Sequence, residues 1–356
     1  MNVAVFLPNW IGDVVMATPT LRALRKRIGR DGRLVGVLRP SVPSGLPRTN
    51  WIEDTEFYDP SSDDRALHGA AVVERLRNER LDAAVLLTNT LRTAIVAWRS
   101  GARRRIGFDR YLRGPLLTDR LQHAWQGRTW YGARRYTPAP VLDDYLRLAT
   151  AFGCEPESPR MELALTADDV AAADRAWHEL RLPAGSNVVT FNTGGAFGAA
   201  KVWPGEYFAE LARRVVADGR HSVLVICGPA EREAATEIVR RARHPRVVSL
   251  AMQPPGIGLS KACVARSRLL VSTDSGPRHF AAAFGVPVVT LFGPTHIAWS
   301  ENHFDGAVHL QHQLPCGPCQ RRVCPLGTHA CLRELTAERV FRAVEPLLCD
   351  DQTRAA

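Results

Sequence analysis

The fold of the first half of the chain is decided by residues 3–13, VAVFLPNWIGD. The short apolar run from Val3 to Leu7 predicts a buried strand, and the turn after it contains Gly12 and Asp13. Apolar residues then recur at helical spacing from Val14 to Ile28, with basic residues on the opposite side. The chain therefore begins with a strand, a glycine-containing turn and a helix.

The same order of features starts again at VVTFNTGGAFG, residues 188–198. Val188 to Phe191 predicts a strand, the glycines after it predict a loop, and Glu206 to Ala217 predicts a helix. Elsewhere short apolar runs alternate with amphipathic segments, which is typical of a parallel sheet with helices on both faces. The further strands are predicted at Leu34–Leu38, Ala83–Leu87, Val223–Cys227, Val247–Leu250, Leu269–Ser272 and Val288–Phe292, and the further helices at Leu67–Arg77, Val141–Phe152, Ala167–Leu180, Ala230–Arg243 and Pro277–Phe284.

These patterns predict an α/β protein with two Rossmann-like domains whose parallel sheets face a central cleft. We expect the first domain at residues 1–165 and the second at 186–356, with a linker at about 166–185. The length of 356 residues agrees with this division, since domains commonly have about 100–200 residues.

The composition excludes several classes of protein. No run approaches the ~20 apolar residues of a membrane span, and no basic residue precedes the apolar N-terminal run, as a secretory signal would require. Eight cysteines in 356 residues do not form a disulfide scaffold. We therefore expect a cytoplasmic protein.

The chain is basic, with a net charge of +10, and its basic residues are unevenly distributed. Only three of the 46 are lysines, which the base composition of the gene would explain. Ten arginines against two acids lie between Arg99 and Tyr136, with aromatic residues among them. Such a segment suits a phosphorylated acceptor or a membrane surface. The alternative is that it binds nucleic acid.

Three loops at predicted strand ends carry candidate functional residues, because ligands of parallel sheets bind at the carboxyl ends of the strands. The first loop holds Asp13, which either caps the following helix or acts as a general base. The second holds Thr193, Gly194 and Gly195 and ends at Lys201. It matches neither of the common glycine-rich phosphate motifs, so Lys201 is either a phosphate contact or a solvated surface lysine.

The third loop contains Asp274, Ser275 and Gly276, with His279 one turn into the following helix. Asp274 or Ser275 either caps that helix or, with the helix start, contacts a phosphorylated ligand. Glu231, after another strand, is a candidate ribose contact or a helix-start carboxylate. The three loops together indicate an anionic, nucleotide-like ligand. No Asp-x-Asp motif for a divalent metal occurs in the sequence.

Four cysteines are clustered near the C-terminus in the pattern C-x2-C-x4-C-x6-C. The spacing suits a structural zinc or iron–sulfur site. These cysteines are Cys316, Cys319, Cys324 and Cys331, within a cysteine-rich segment at residues 315–331.

Several of these motifs resemble glycosyltransferase family 9, in order and over nearly the whole chain. Within that family the sequence is similar to the ADP-heptose:lipopolysaccharide heptosyltransferase II branch. The resemblance implies a GT-B fold, with an acceptor domain before a donor domain. The matching stretches are PNWIGD at 8–13, KVWP at 201–204, CGPAE at 227–231, TDSGPRH at 273–279, LFGPT at 291–295, and PCGPC to CPLG within 315–327.

The resemblance also implies a reaction and roles for individual residues. The expected enzyme is a metal-independent, inverting transferase that moves heptose from ADP-L-glycero-D-manno-heptose to heptosyl-Kdo2-lipid A of the lipopolysaccharide inner core. Asp13 and Lys201 are the expected catalytic residues. The expected donor contacts are Thr193, Gly194, Gly195, Lys201, Glu231, Asp274, Ser275, Gly276 and His279, and the expected acceptor contacts are Asn9, Trp10, Gly12, Arg104 and Arg105.

The expected partners are the ADP-heptose donor, the lipopolysaccharide acceptor and, peripherally, the cytoplasmic face of the inner membrane, with no nucleic acid. No cofactor is expected to be required for catalysis. The alternative function is a GT-B transferase or epimerase that uses another nucleotide sugar.

Overall fold

The computed structural model describes residues 1–40, 42, 51–128, 134–183, 187–195 and 198–349. The chain divides into two compact units. The first unit comprises residues 1–162 and 298–302, and the second comprises residues 163–297 and those from 303 onward.

The first unit is built around a six-stranded parallel sheet of order β3-β2-β1-β4-β5-β6. A separate antiparallel pair, β7 and β8, follows it in the chain. The elements are β1 Asn2–Phe6, α1 Ile11–Met16, α2 Thr18–Ile28, β2 Arg33–Leu38, β3 Asp54–Phe57, α3 Gly69–Asn78, β4 Ala83–Leu86, α4 Leu91–Arg99, β5 Arg104–Phe108, β6 Asp119–Leu121, β7 Trp125–Arg128, β8 Arg134–Tyr136 and α5 Val141–Phe152.

The second unit has the same strand arrangement, since its six-stranded parallel sheet has the order β11-β10-β9-β12-β13-β14. Both sheets confirm the predicted α/β class with parallel strands. The elements are α6 Ala167–Glu179, β9 Val188–Asn192, α7 Gly205–Val216, β10 Ser222–Ile226, α8 Arg232–Ala242, β11 Val247–Ser249, α9 Ile257–Arg266, β12 Leu269–Thr273, α10 Pro277–Ala283, β13 Val288–Phe292, β14 Ala307–Gln311, α11 Ala330–Arg333 and α12 Ala337–Cys349.

Each sheet has its own hydrophobic core. Phe6, Leu76 and Leu86 belong to that of the first unit, and Phe191 and Trp203 to that of the second. Trp203 is 1% exposed, and its indole N–H donates to the carbonyl of residue 335 over 2.7 Å. The separate cores fix the carboxyl ends of the strands, and with them the loops that carry the candidate residues.

One predicted helix is divided in the structure. The sequence predicted a continuous helix from Val14 to Ile28, but the structure has α1 and α2 with a break at Ala17. Pro19 has no N–H and disfavours helical geometry in the residue before it. The Thr18 hydroxyl donates to the carbonyl of Val15 over 2.7 Å and stabilises the break.

The segment expected to link the domains, 166–185, contains α6, which packs on α9 within the second unit. Lys261, only 1% exposed, lies at this contact, with its Nζ 2.9 Å from Asp169 Oδ2. Asp169 also accepts from the backbone N–H of Thr166 over 2.9 Å. The pairing explains how a lysine is tolerated inside α9, since a buried charge requires a partner.

Candidate active site

A buried ion pair marks the carboxyl edge of the sheet in the second unit. Lys201 Nζ donates to Asp274 Oδ2 over 2.6 Å and to the Asp274 carbonyl over 3.0 Å. The two side chains are 11% and 8% exposed. Asp274 follows β12, and Lys201 ends the loop that begins after β9, which is adjacent in the sheet. Two residues predicted separately therefore form one unit of the site.

The charge of Asp274 is held by its surroundings. Burial alone would raise the pKa of this carboxyl group, but the positive charges of Lys201 and Arg278 oppose burial. With hydrogen bonds from Lys201 and from Thr295, they lower the pKa of Asp274 to about 2. The Thr295 hydroxyl donates to Asp274 Oδ2 over 2.7 Å. Asp274 is therefore ionised at neutral pH and holds the ammonium group in place.

Two residues of α10 extend this polar cluster. Arg278 is fully buried, with Nη1 3.8 Å from Asp274 Oδ1 and its guanidinium over the ring of Phe292. Burial lowers the pKa of His279 well below its ordinary value, and the neighbouring Arg278 charge lowers it further. His279 is therefore neutral at pH 7. It joins Asp274 in one cluster, as expected for residues of the same loop and helix start.

Backbone and side-chain hydrogen bonds join the glycine loop after β9 to the loop after β12. Asn192 Nδ2 donates to the hydroxyl of Ser272 over 3.0 Å and to that of Ser275 over 2.7 Å. The Thr273 hydroxyl donates to the carbonyl of Gly194 over 3.0 Å. Ser275 also lies close to the next glycine. A Cβ added at Gly195 would be 3.4 Å from the Cβ of Ser275. Gly276 then precedes α10 with helical dihedral angles.

Glu231 lies against the same glycine loop. Its Oε2 accepts from the N–H of Gly228 over 2.6 Å, and a Cβ at Gly194 would overlap Oε1. The glycine is therefore required for the carboxylate to approach the loop. Next to it, the buried hydroxyl of Thr193 has no hydrogen-bond partner within the described part of the chain. A buried polar atom in this position suits a ligand contact.

Asp13 lies on α1 in the first unit and is partly exposed. It is near Tyr145 of α5. Burial raises the pKa of Tyr145 well above its ordinary value, and the negative charges of Asp13 and Asp144 raise it further. Gly12 is buried, whereas Trp10 is 54% exposed and precedes the helix without a side-chain cap.

A cavity of about 130 Å³ lies in the first unit, where β1, β2 and β4 end. Asn9, an expected acceptor contact, lines it. Arg39, Tyr58 and Arg92, none of which was predicted, line it too. Burial raises the pKa of Tyr58, although the charges of both arginines oppose that effect. The cavity is therefore lined by two guanidinium groups and by hydroxyl groups, with Arg39 Nη2 3.8 Å from Asp59 Oδ1.

Three arginines of the arginine-rich segment hold the fold of the first unit together. Arg104 donates to the carbonyls of residues 151 and 152, and Arg105 to those of residues 102 and 116. Arg113 is fully buried and donates to the carbonyl of Phe108 over 2.7 Å. Residues 129–133 lie outside the described part of the chain. Acceptor binding by Arg104 and Arg105 remains a prediction.

The four clustered cysteines line a second, smaller cavity of about 30 Å³. Backbone N–H groups, those of His329, Leu326, Gly327 and Thr328, lower the pKa of Cys324. Burial raises the pKa of Cys331, and the neighbouring thiols raise it further. Among the described residues, no group of three or more His, Cys, Asp or Glu side chains is arranged to hold a metal ion. Metal binding by these cysteines remains a prediction.

Sequence reasoning missed Asn192, Arg278 and Thr295 as members of the cluster in the second unit. Arg278 and Thr295 lie in motifs that had been singled out, so proximity in sequence was an available signal. Asn192 is the last residue of a buried strand. A buried amide side chain needs hydrogen-bond partners, so at a strand end it is expected to bond to a neighbouring loop.

The two parallel sheets, each with the strand order of a dinucleotide-binding domain, have the architecture of GT-B glycosyltransferases. The chain belongs to glycosyltransferase family 9 (heptosyltransferase), whose family model matches residues 70–330. This confirms the family that the sequence motifs resemble.

Individual relatives cover nearly the whole chain. Lipooligosaccharide heptosyltransferase 2 of Campylobacter jejuni serotype O:6 is 31% identical over 98% of this chain and 99% of its own length. Among solved structures, the Escherichia coli ADP-heptose lps heptosyltransferase II has a TM-score of 0.75 at 22% identity, with 98% of each chain covered. A family 9 glycosyltransferase from Veillonella parvula has a TM-score of 0.78 at 22% identity and covers 98% of this chain and 97% of its own.

Proposed function

We propose that the protein transfers heptose from ADP-L-glycero-D-manno-heptose to the heptosyl-Kdo2-lipid A inner core of lipopolysaccharide. The observation that carries the proposal is the buried Lys201–Asp274 pair beside the glycine loop and Glu231. The names of two relatives support the coarser part of the proposal, since one prints ADP-heptose and lps and the other lipooligosaccharide heptosyltransferase. Transfer proceeds with inversion and requires no metal, since Lys201 supplies positive charge for the diphosphate.

The donor is held by the second unit. Lys201 contacts the diphosphate, and Glu231 bonds the ribose hydroxyls of the adenosine. Gly194 and Gly195 let backbone N–H groups approach the ligand, and the buried hydroxyl of Thr193 donates to it. Ser275 and Gly276 lie beside them, and Asp274 fixes the lysine ammonium in one position. A fixed positive charge at the leaving group is worth more than a mobile one, because it needs no reorganisation during the reaction.

The reaction is a single displacement at the anomeric carbon. Asp13 takes the proton of the attacking acceptor hydroxyl as the new C–O bond forms. The bond between the anomeric carbon and the diphosphate oxygen breaks on the opposite face, and ADP leaves with the electron pair. Lys201 stabilises the negative charge that develops on that oxygen. Inversion follows from attack opposite to the leaving group.

The acceptor is held by the first unit, at the cavity lined by Asn9, Arg39 and Arg92. Inner-core sugars carry carboxylates and phosphates, and guanidinium groups bind both. No helix in the described residues is long and apolar enough to cross a membrane. Because the acceptor is borne on a lipid, we infer that the enzyme works in peripheral contact with the cytoplasmic face of the inner membrane.

The test is a transfer assay with ADP-heptose and heptosyl-Kdo2-lipid A, with the product identified by mass spectrometry. The wild-type enzyme adds one heptose, and Asp13→Asn lowers the rate by about 10²–10⁴-fold, the usual contribution of a general base. Asp31→Asn, an exposed aspartate elsewhere in the first unit, is the matched control. Transfer from UDP-sugars but not from ADP-heptose would show that the donor is wrong. Near-normal transfer by Asp13→Asn would show that the base is wrong.

A further inference from the structure

Helix α4 has large apolar side chains on its exposed face. Leu91, Ile95 and Trp98 are 40%, 36% and 52% exposed. Their spacing of four and three residues places them on one side of the helix, within an arc of about 60°. The opposite side, with Val96 and Ala97, is buried. An ordinary surface helix has a polar exposed side, whereas that of α4 carries these three apolar side chains as well as Arg92 and Arg99.

The helix is firmly part of the first unit. Its N-terminus is capped by Thr90, whose hydroxyl accepts from the N–H of Thr93 over 3.2 Å. It packs against β4 and β5 and against α3. The exposed apolar side chains therefore lie on an ordered support, and none of the described residues covers them.

Positive charge accompanies this apolar face. From residue 83 to residue 108 the sequence has five arginines and no acidic residue. Arg92 and Arg99 are exposed on α4 itself, next to the apolar side chains. The Arg103 side chain, just after the helix, is 83% exposed, with its Nη1 3.7 Å from Asp82 Oδ1. An apolar stripe bordered by arginines matches the surface of a bilayer with anionic headgroups, which takes apolar groups into its interior and attracts cations.

The position of the helix relates it to the acceptor. α4 starts directly after β4, and Thr90, Arg92 and Thr93 of its first turn line the cavity of the first unit. The apolar face thus begins at the rim of the proposed acceptor pocket.

We propose that the face formed by Leu91, Ile95 and Trp98, with Arg99 and Arg103, is the surface by which the enzyme docks on an anionic membrane. The inference rests on the proposed function, because a lipid-borne acceptor requires the pocket to be close to the bilayer. Docking through α4 brings the pocket to the headgroup layer, where the sugar of a membrane-anchored acceptor protrudes.

The test is flotation of the full-length protein with vesicles. Vesicles of phosphatidylethanolamine and phosphatidylglycerol are compared with vesicles of phosphatidylcholine alone. We expect wild-type protein to float with the anionic vesicles and to be released by high salt, because headgroup attraction is screened. The double variant Ile95→Gln/Trp98→Gln is expected to lose at least tenfold in bound fraction. Arg99→Gln/Arg103→Gln is expected to lose binding to anionic vesicles to a similar extent.

Matched controls separate docking from general surface effects. Met252→Gln removes a 90% exposed apolar side chain in the second unit, and Arg220→Gln removes an exposed arginine there. Both are expected to bind like the wild type. Circular dichroism confirms that each variant is folded. Wild-type protein that does not float with anionic vesicles, or an Ile95→Gln/Trp98→Gln protein that floats normally, would overturn the proposal.

Transfer assays distinguish failure of docking from failure of the proposed function. With a deacylated, water-soluble acceptor, Ile95→Gln/Trp98→Gln is expected to work at the wild-type rate, and with vesicle-embedded acceptor at least tenfold more slowly. Loss of both activities in the wild type would contradict the proposed function. Equal rates for variant and wild type on vesicles would contradict docking alone. Sedimentation velocity tests whether a second copy of the chain binds this face instead. A wild-type dimer that dissociates in the double variant would show that the face serves self-association, and it would overturn the proposal.

Discussion

The two units share one strand order but differ at the edge where their central strands end. In the second unit, Lys201 and Asp274 are each about nine-tenths buried and bond to each other. In the first unit, Arg92 is exposed, and the Arg39 side chain is 37% exposed at the rim of an open cavity. The same fold therefore presents one preorganised set of charges and one set that stays in contact with solvent. This difference teaches that strand order fixes where a site lies, whereas burial of charged partners decides how rigidly it is defined.

Removal of the buried lysine is the strongest way to test the contrast. We expect Lys201→Met to lower kcat by about a thousandfold, or about 4 kcal/mol, because a fixed charge at the leaving group is lost. Lys26→Met is the matched control, since Lys26 pairs with Glu157 and its side chain is 67% exposed. Steady-state kinetics with the soluble acceptor measures both. A Lys201→Met enzyme within tenfold of the wild type would remove the lysine from the catalytic machinery.

The buried arginine of the first unit tests whether that half also depends on hidden charge. Arg113 donates to the carbonyl of Thr88 and to Asn89 Oδ1, both in the segment between β4 and α4. We expect Arg113→Met to lower the free energy of unfolding by about 3 kcal/mol, since these buried acceptors lose their donor. Thermal unfolding measures the change. Arg103→Met, with an exposed side chain, is expected to stay within about 0.5 kcal/mol of the wild type. Equal effects of the two substitutions would show that Arg113 does not support this region.

Lowering the pH should destabilise the fold, because Asp274 in the second unit becomes protonated. The pKa of Asp274 is about 2 in the folded protein and about 3.9 in an unfolded chain. Its carboxylate therefore stabilises the fold by about 3 kcal/mol at neutral pH, and this contribution is lost as the pH falls from about 4 toward 2. We expect calorimetry to show that Asp274→Asn is less stable than the wild type at pH 7 and that the difference narrows below pH 4. A difference that stays constant with pH would mean that the charge is not responsible.

Substitution of an exposed arginine in the cavity of the first unit should have the smallest effect. We expect Arg92→Met to raise the KM for the soluble acceptor by about tenfold, or about 1.4 kcal/mol, because an exposed guanidinium contributes one charge-assisted contact. The KM for the donor is expected to stay unchanged. Arg99→Met, at the other end of the same helix, is the matched control. If Arg92→Met changed only the KM for the donor, the cavity would bind the donor and not the acceptor.

Much of the fold follows from local sequence pattern. The predicted helix Val141–Phe152 and strand Val288–Phe292 match the structure residue for residue, because each has a clear period and clear ends. Helices α4 and α9 were missed for opposite physical reasons. The first has apolar side chains on its exposed side as well as on its buried side, whereas the second buries even Lys261 and shows little contrast between a polar and an apolar face.

The candidate site was predicted in position but not in its interactions. Loop residues after strands predicted Lys201 and Asp274, since strand ends are local features. That they bond to each other depends on the adjacency of β9 and β12 in the sheet, which local pattern does not specify. The role of Arg113 was hidden for the same reason: nothing in its neighbourhood distinguishes it from the nine other arginines of its segment.

The scarcity of lysine gives the protein a simple chemical label. Its three lysine side chains are paired with Glu157, Asp274 and Asp169, and they are 67%, 11% and 1% exposed. Acylation followed by peptide mass spectrometry therefore measures the reactivity of three lysines that differ clearly in exposure. Lys26 reacts first and serves as the internal standard, Lys261 reports on unfolding of the second unit, and Lys201 reports on occupancy of the proposed donor site. A single footprinting experiment can thus follow ligand binding and folding in the same sample.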